Sequence, residues 1–262
     1  MSEDFLLTDI SGGRATLILN RPDVHNAFDD ALIARLTSEL QALDSNPDVR
    51  VVVLAATGKS FSAGADLKWM QRMADYSEAE NLADAEALAE LMKTLNGLSK
   101  PTIARVQGAA FGGGVGLIAC CDIAIASYAA RFSISEVKLG LTPATISPYL
   151  VTAIGLRQAR RYVLSAERFD ALEAERIGLV HLVSAPEDLD PAVDDLVQAL
   201  SGNGPEAIAE AKKMIAHVAG RPIDDELILE TASRIARIRV SEEGREGLCA
   251  FLEKRKPGWD KS

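Results

Sequence analysis

A chain of 262 residues that is 48% hydrophobic and 25% charged has the balance of an ordinary globular protein, long enough for one large domain or a domain with a small appendage. Its net charge of -10 repels phosphate backbones and anionic lipid, which argues against binding nucleic acid or membrane by bulk charge; a phosphate-bearing ligand would need a local cluster of Lys or Arg. No apolar run approaches the ~18 residues needed to span a bilayer, and Met1 to Thr8 has neither a basic region leading into an apolar stretch nor a cleavage site, so no signal peptide is expected.

The first periodic run, Arg14–Asn20 (RATLILN), predicts a short strand ended by Arg21-Pro22. Asp29 or Asp30 can cap a helix to about Leu43, because Leu32, Ile33, Leu36, Leu40 and Leu43 recur at helical spacing. Val49–Ala56 is nearly continuous in apolar residues, the pattern of a strand buried on both faces. A small-residue loop, Thr57–Ala65, follows, and then a long helical stretch from about Ser77 to Leu98, stopped by Lys100-Pro101. Thr102–Gln107 reads as another buried strand, Gly112–Gly116 as a glycine-rich turn into apolar Leu117–Cys121, and Asp122–Ala126 as a further strand.

Strand and helix therefore alternate, which points to an α/β fold. Beyond Glu167 strands nearly vanish: Phe169–Ile177 and Glu187–Leu200 read as helices with a brief extended segment, Gly178–Val183, between them. Ser201-Gly-Asn-Gly-Pro205 is the clearest punctuation, and helices follow at about 205–219, 223–240 and 242–254. The expected organisation is an α/β core over residues 1–200 and a helical C-terminal region over 201–262. Cys120, Cys121 and Cys249 are odd in number and two are adjacent, which fits buried thiols in a reducing compartment better than a disulfide framework. The expected location is the cytoplasm, or an organelle matrix after removal of a transit peptide.

Two segments place small residues where a ligand can meet bare backbone: Ser62-Ala63-Gly64-Ala65-Asp66 and Gly112-Gly113-Gly114. A glycine run that opens a helix presents free N–H groups backed by the positive end of the helix dipole, which suits an anion or a developing oxyanion. A tight turn before a packed helix would look the same. Nucleotide-binding motifs fit poorly. Gly58-Lys59-Ser60 lacks the earlier glycine of a phosphate loop, since Val53 stands there, and Leu117 breaks any dinucleotide fingerprint in Gly112–Gly116. There is no GxSxG and no HExxH.

Taken in order, Phe61-Ser-Ala-Gly-Ala-Asp-Leu67, Gln107-Gly-Ala-Ala-Phe-Gly-Gly-Gly114, Cys121-Asp-Ile-Ala-Ile-Ala126 and Phe132-Ser-Ile-Ser-Glu-Val-Lys-Leu-Gly140 resemble the enoyl-CoA hydratase/isomerase (crotonase) family. Leu19-Asn-Arg-Pro22 with Asn26-Ala27 fits the family's start, and Ala166-Glu-Arg-Phe169, Ala174–Val180 and Phe251-Leu-Glu-Lys-Arg255 fit its later parts. The resemblance covers essentially the whole chain. It implies a ClpP-like spiral of ββα units with a C-terminal helical region used in trimer assembly, as a homotrimer or a dimer of trimers. It also implies an acyl-CoA substrate, with CoA as part of the substrate rather than a resident cofactor, and an oxyanion hole made by the backbone N–H groups of Ala65 and Gly113. Two fixed donors stabilise negative charge on a thioester oxygen, each by roughly 3 kcal/mol.

Glu136 matches the position of a catalytic glutamate in the family's hydratases; without the resemblance it could equally be an exposed residue paired with Lys138. Family hydratases carry a second glutamate where this chain has Gly116. One glutamate can serve water addition by taking and returning the proton in turn, whereas a double-bond shift needs only one base. The chain also resembles hydratases of the 3-methylglutaconyl-CoA type, so hydration of a 2-enoyl-CoA is the leading expectation and isomerisation of a 3-enoyl-CoA the alternative.

For CoA, the resemblance places Val24, His25, Ala27 and Ala63 along the ligand, with Phe251 and Lys254 reaching it from a neighbouring subunit; Lys59 and Lys68 flank the first glycine segment and could receive phosphates. Asp66 reads as a helix cap. Trp69 and Met70 could line the acyl pocket or simply pack, and Arg72, Arg157 and Arg161 are candidates for a second substrate carboxylate. His25, His181 and His217 have no metal-ligand spacing, and no metal is expected.

Overall fold

The computed structural model describes residues 4–260, so the N-terminal reading at Met1 to Thr8 and the outer limits of both expected regions fall partly outside the described residues. The chain opens with a hairpin: β1 (Leu6–Ser11) pairs antiparallel with β2 (Arg14–Leu19). Gly12 and Gly13, with φ of 58° and 82°, make the turn; two successive positive φ values are what a tight hairpin demands and what glycine tolerates. Helix α1 (Asp30–Ser45) follows, with Asp29 Oδ1 accepting from Leu32 N at 2.9 Å as its cap and all five expected leucine and isoleucine positions buried.

Three further rounds repeat one plan. A long buried strand is followed by a three-residue strand and then by helix. β3 (Val51–Ala56) leads to β4 (Ser60–Ser62), then α2 (Leu67–Met73) and α3 (Glu78–Gly97). β5 (Thr102–Val106) leads to β6 (Ala109–Phe111) and α4 (Gly113–Cys120). β7 (Ile123–Ser127) leads to β8 (Arg131–Ser133), a 3-10 turn at Glu136–Leu139, and α5 (Ser147–Ser165), which is broken at Gly155. After these come β9 (Phe169–Asp170), α6 (Ala171–Arg176), β10 (Leu182–Ser184) and α7 (Leu189–Ser201).

The long strands and the three-residue β10 form one sheet in the order β1-β2-β3-β5-β7-β10, parallel apart from the first pair; the remaining short ones form a second, β4-β6-β8-β9. This is the expected spiral of ββα units. Each repeat buries apolar side chains from both sheets: Leu54, Ala104 and Ala126 share one core with Phe61, Phe132 and the wholly apolar α4. Full burial of a leucine- or phenylalanine-sized side chain stabilises by about 1.5–3 kcal/mol. Cys120 and Cys121 are buried as expected but Cys249 is exposed; burial pushes the Cys121 thiol up to about 12, so it stays protonated.

The C-terminal helices are α8 (Pro205–Val218), α9 (Asp225–Val240) and α10 (Glu242–Leu252). The expected boundary at 200/201 falls at the end of α7. These helices contribute no residue to either main apolar cluster. They are tied to the rest by polar contacts, including Lys212 Nζ to Asp122 Oδ2 at 2.7 Å and to Lys100 O at 3.3 Å. Ile223, Ile228, Leu229, Val240, Phe251 and Leu252 are exposed. No helix among the described residues is long and apolar enough to cross a membrane.

Candidate active site

β4, β6 and β8 are parallel neighbours, so the chain leaves all three at the same edge of the second sheet. Ala65 lies just beyond the end of β4, Gly113 just beyond β6, and Glu136 just beyond β8. Three remote stretches of sequence meet there because successive turns of the spiral stack. Close packing of backbone draws the first two together. A Cβ on Gly64 would lie 3.0 Å from Phe111 O, and one on Gly114 would lie 2.8 Å from Ser62 O, so both positions need glycine.

Ala65 forms a parallel bridge with Phe28. Phe28 N donates to Gly64 O and Asp66 N donates to Phe28 O, both at 2.7 Å. In such a ladder the peptide groups on either side face the partner while Ala65's own N–H turns to the other side. Gly113 opens α4, where the first N–H groups have no partner within the helix. Neither the Ala65 nor the Gly113 N–H has an acceptor among the described residues. Gly112 caps the helix at φ 50° and donates to Ser133 O at 3.0 Å, which links β8 to this turn.

Glu136 packs against that turn. A Cβ on Gly112 would lie 2.9 Å from Glu136 Oε1. The carboxyl group is half-buried, its Oε2 is buried with no hydrogen-bond partner, and no ion pair joins it to Lys138. Burial raises its pKa above the usual glutamate value, partly offset by the backbone N–H groups of Ser135 and Glu136 itself. A carboxylate so destabilised is a stronger base than one in water.

Asp66 caps α2 as expected, accepting from Lys68 N at 2.8 Å and Trp69 N at 3.4 Å. Burial opposes its charge, but those amides and the Arg21 guanidinium at 3.0 Å outweigh it and lower its pKa. Arg21 also reaches Asp29 at 3.0 Å and donates to Ala27 O at 2.6 Å. Asn26, fully buried at φ 54°, accepts from Arg21 N and donates to Thr57 O and Ser60 O, all at 2.8 Å. The segment holding Val24, His25 and Ala27 is thereby fastened to the one holding Lys59 and Ala63; Ala63 N donates to His25 O at 2.9 Å and the His25 ring meets Ser60 Oγ at 3.1 Å.

Val24, His25, Lys59 and Lys68 are exposed, Ala63 is half-buried and Ala27 is buried. Neither Lys59 nor Lys68 has an acidic partner among the described residues. Phe251, 80% exposed, and Lys254 stand at the end of α10, and no hydrogen bond or ring contact within the chain joins them to these segments. Trp69 is packed, with Nε1 donating to Asp84. Arg72 and Arg161 are held by Asp30 and Glu167, and Arg157 is exposed.

His181 accepts from Ala124 N and His217 meets Glu230 and Arg221, so the three histidines serve separate places; no group of three potential metal ligands occurs among the described residues. Sequence reasoning gave no role to Phe28 or Ile146. Phe28 touches both glycine segments. Ile146 sits where a side chain at 116 would project, with its Cγ2 only 2.2 Å from a Cβ placed there.

The pattern of the family described as enoyl-CoA hydratase/isomerase matches residues 9–262. A crystal structure of an enoyl-CoA hydratase from Shewanella pealeana has a TM-score of 0.95 to this chain at 49% identity, covering 98% of this chain and 96% of that one. Crotonyl-CoA hydratase of Syntrophomonas wolfei is 33% identical over 244 residues, 92% of each chain. A trans-2-decenoyl-acyl-carrier-protein isomerase of Streptococcus mutans is 30% identical over 256 residues, 96% of each chain.

Proposed function

Because the chain belongs to the enoyl-CoA hydratase/isomerase family, we propose that it adds water across the double bond of a 2-enoyl-CoA thioester, with Glu136 as its only acid–base residue. The observation that carries this reading is the meeting of two unengaged amides, Ala65 and Gly113, with the buried carboxyl of Glu136. The thioester oxygen accepts from both N–H groups. Glu136, as carboxylate, takes a proton from a water as its oxygen bonds to the β-carbon. The electron pair of the double bond moves toward the carbonyl, and the enolate oxygen is held by the two donors. The proton on Glu136 then goes to the α-carbon, which restores the carboxylate and leaves a 3-hydroxyacyl-CoA.

CoA enters this reading as part of the substrate. Lys59 and Lys68 receive its phosphates, Val24, His25, Ala27 and Ala63 border its path, and Phe251 and Lys254 reach it from a neighbouring copy in a homotrimer or a dimer of trimers. The exposed apolar residues of α8–α10 support such assembly. A branched, carboxylated acyl group of the 3-methylglutaconyl type belongs to the same reading. It would have to compete with Asp30 for Arg72 and with Glu167 for Arg161, or draw on Arg157.

A second reading, isomerisation of a 3-enoyl-CoA, is favoured by the apolar surroundings of Gly116, since one carboxylate can move a proton between two carbons unaided. A panel of 2-enoyl- and 3-enoyl-CoA esters, branched and carboxylated ones included, read by mass spectrometry for gain of water and by the ultraviolet absorbance of the conjugated 2-enoyl thioester, separates the two. Gain of one water from 2-enoyl esters supports hydration. Conversion of 3-enoyl to 2-enoyl ester without mass change, and none of the former, replaces it with isomerisation.

A further inference from the structure

Phe28 meets both halves of the proposed oxyanion hole, the first through its backbone and the second through its ring. Its backbone brackets Ala65 through the bonds to Gly64 O and from Asp66 N, each 2.7 Å. Its ring lies against Gly113: a Cβ on that glycine would sit 2.7 Å from Phe28 Cε2 and 3.1 Å from Cδ2. The residue is 1% exposed, so the ring has no room to swing away. Its base is fixed as well, by Arg21 on the carbonyl of the preceding Ala27 and by the buried Asn26 before that.

Two N–H groups stabilise an oxyanion only when both point at the same atom, and a displacement of about 1 Å can cost about 10²-fold in rate. The first donor is held to the Phe28 backbone and the second rests on the Phe28 ring. The ring is thus a spacer between them.

We infer that Phe28 is a positioning residue whose ring sets the separation of the Ala65 and Gly113 amides and so the strength of enolate stabilisation. This rests on the reading of those amides as an oxyanion hole. The ring touches no reacting atom. Its removal leaves a gap beside Gly113 into which the start of α4 can shift, which spoils the convergence of the donors, while the segments at residues 24–27 and 59–68 stay in place.

The test uses Phe28→Leu and, as a second variant that fills more of the ring's length, Phe28→Met. Folding is checked by circular dichroism and thermal denaturation. Two ligands are titrated: a saturated acyl-CoA, which forms no enolate, and a 3-oxoacyl-CoA, whose enolate is seen by its ultraviolet absorbance. The expected result is a fall in kcat of about ten- to a hundredfold with KM within about threefold. The 3-oxoacyl-CoA enolate should weaken by the same factor and the saturated thioester should bind as before. Folded variants with unchanged kcat, or with both ligands weakened alike, overturn the spacer role. Wild-type protein that does not favour the enolate over the saturated ester overturns the oxyanion reading itself, and the spacer with it. If neither variant folds, Gly113→Ala reads the same contact from the other side, since its new methyl meets the ring. Retention of full enolate preference there overturns the inference.

Discussion

Ile146 fills the space beside the Cα of Gly116: a Cβ there would lie 2.2 Å from Ile146 Cγ2 and 2.9 Å from Ile146 Cβ, with Met92 Cε at 3.3 Å. Ile146 is 2% exposed, so this face of α4 is both apolar and full. A side chain at 116 therefore needs space before it can offer chemistry. Gly116→Ala is expected to destabilise by about 1–3 kcal/mol through overpacking, measured by denaturant unfolding. In an Ile146→Ala background the penalty should shrink, because Cγ2 is gone. An equal penalty in both backgrounds would mean that the two positions do not collide. Wild-type activity in a folded Gly116→Ala would show that the packing of α4 on Ile146 tolerates a shift without effect on the chemistry.

Glu136→Gln removes the proposed base while keeping the shape of the side chain. Its kcat is expected to fall about 10²- to 10⁴-fold. In the wild-type enzyme the acid limb of the kcat/KM profile should lie above the ordinary glutamate value of about 4.3, because burial raises this pKa. An acid limb at or below that value, or retained turnover in the glutamine variant, would remove Glu136 from the mechanism.

The same raised pKa has a consequence for stability. A carboxyl that is harder to ionise when folded binds its proton more tightly in the native state than in the unfolded state. At low pH both states are protonated and there is no penalty. As pH rises through the unfolded and then the folded pKa, the native state loses stability relative to the neutral side chain. Glu136→Gln is thus expected to raise the melting temperature at neutral pH, with the gain fading as pH falls through the raised folded pKa and gone below the unfolded value of about 4.3. Thermal scans at several pH values check this, and a gain that grew toward acid would contradict it.

The parts of the fold visible in the sequence were those that carry their own periodicity. β2, β3, β5 and β7 announce themselves as apolar runs, α1 as a capped amphipathic stretch and α3 as a long helical one; in the structure Ser77 and Glu80 form a reciprocal cap on α3. β4, β6 and β8 are three residues each and exist through partners far away in sequence, so Thr57–Ala65 reads as loop although it holds a strand. The first residues of the expected helix at Phe169–Ile177 form β9 instead, because Phe169 pairs with Phe132 across the second sheet. Ala65, Gly113 and Glu136 were found through motif order. Phe28 and Ile146 look like any core residue in a linear string, and only packing between remote segments gives them a part in the site.

Asp66 joins the oxyanion loop to its support, since its carboxylate caps α2 and pairs with Arg21 while its N–H holds Phe28 O. Asp66→Ala would leave the Arg21 guanidinium with Asp29 alone and α2 uncapped. A lost cap costs about 0.5–2 kcal/mol. The Asp66 pKa is lowered in the folded state, so its contribution is present above the unfolded value and lost as pH falls through the folded one. The difference in unfolding free energy between wild type and Asp66→Ala should therefore narrow in acid. A difference independent of pH would assign the effect to packing rather than to the ionised carboxylate.

In one chain α8–α10 leave Ile223 at 86% exposure and Leu229 at 72%, and they add nothing to the main apolar clusters. Exposed apolar area of this kind, carried on helices fastened to the core chiefly by polar contacts, is stabilised by burial against another copy. Light scattering with size-exclusion chromatography is expected to give a trimer or a multiple of it. The paired change Ile228→Asp and Leu229→Asp should release smaller species, because charge cannot be buried there unpaired. If Phe251 and Lys254 reach CoA across that interface, dissociation should also raise KM for the acyl-CoA while the core keeps its melting transition. A monomeric wild-type protein with full activity would show that each chain binds CoA alone.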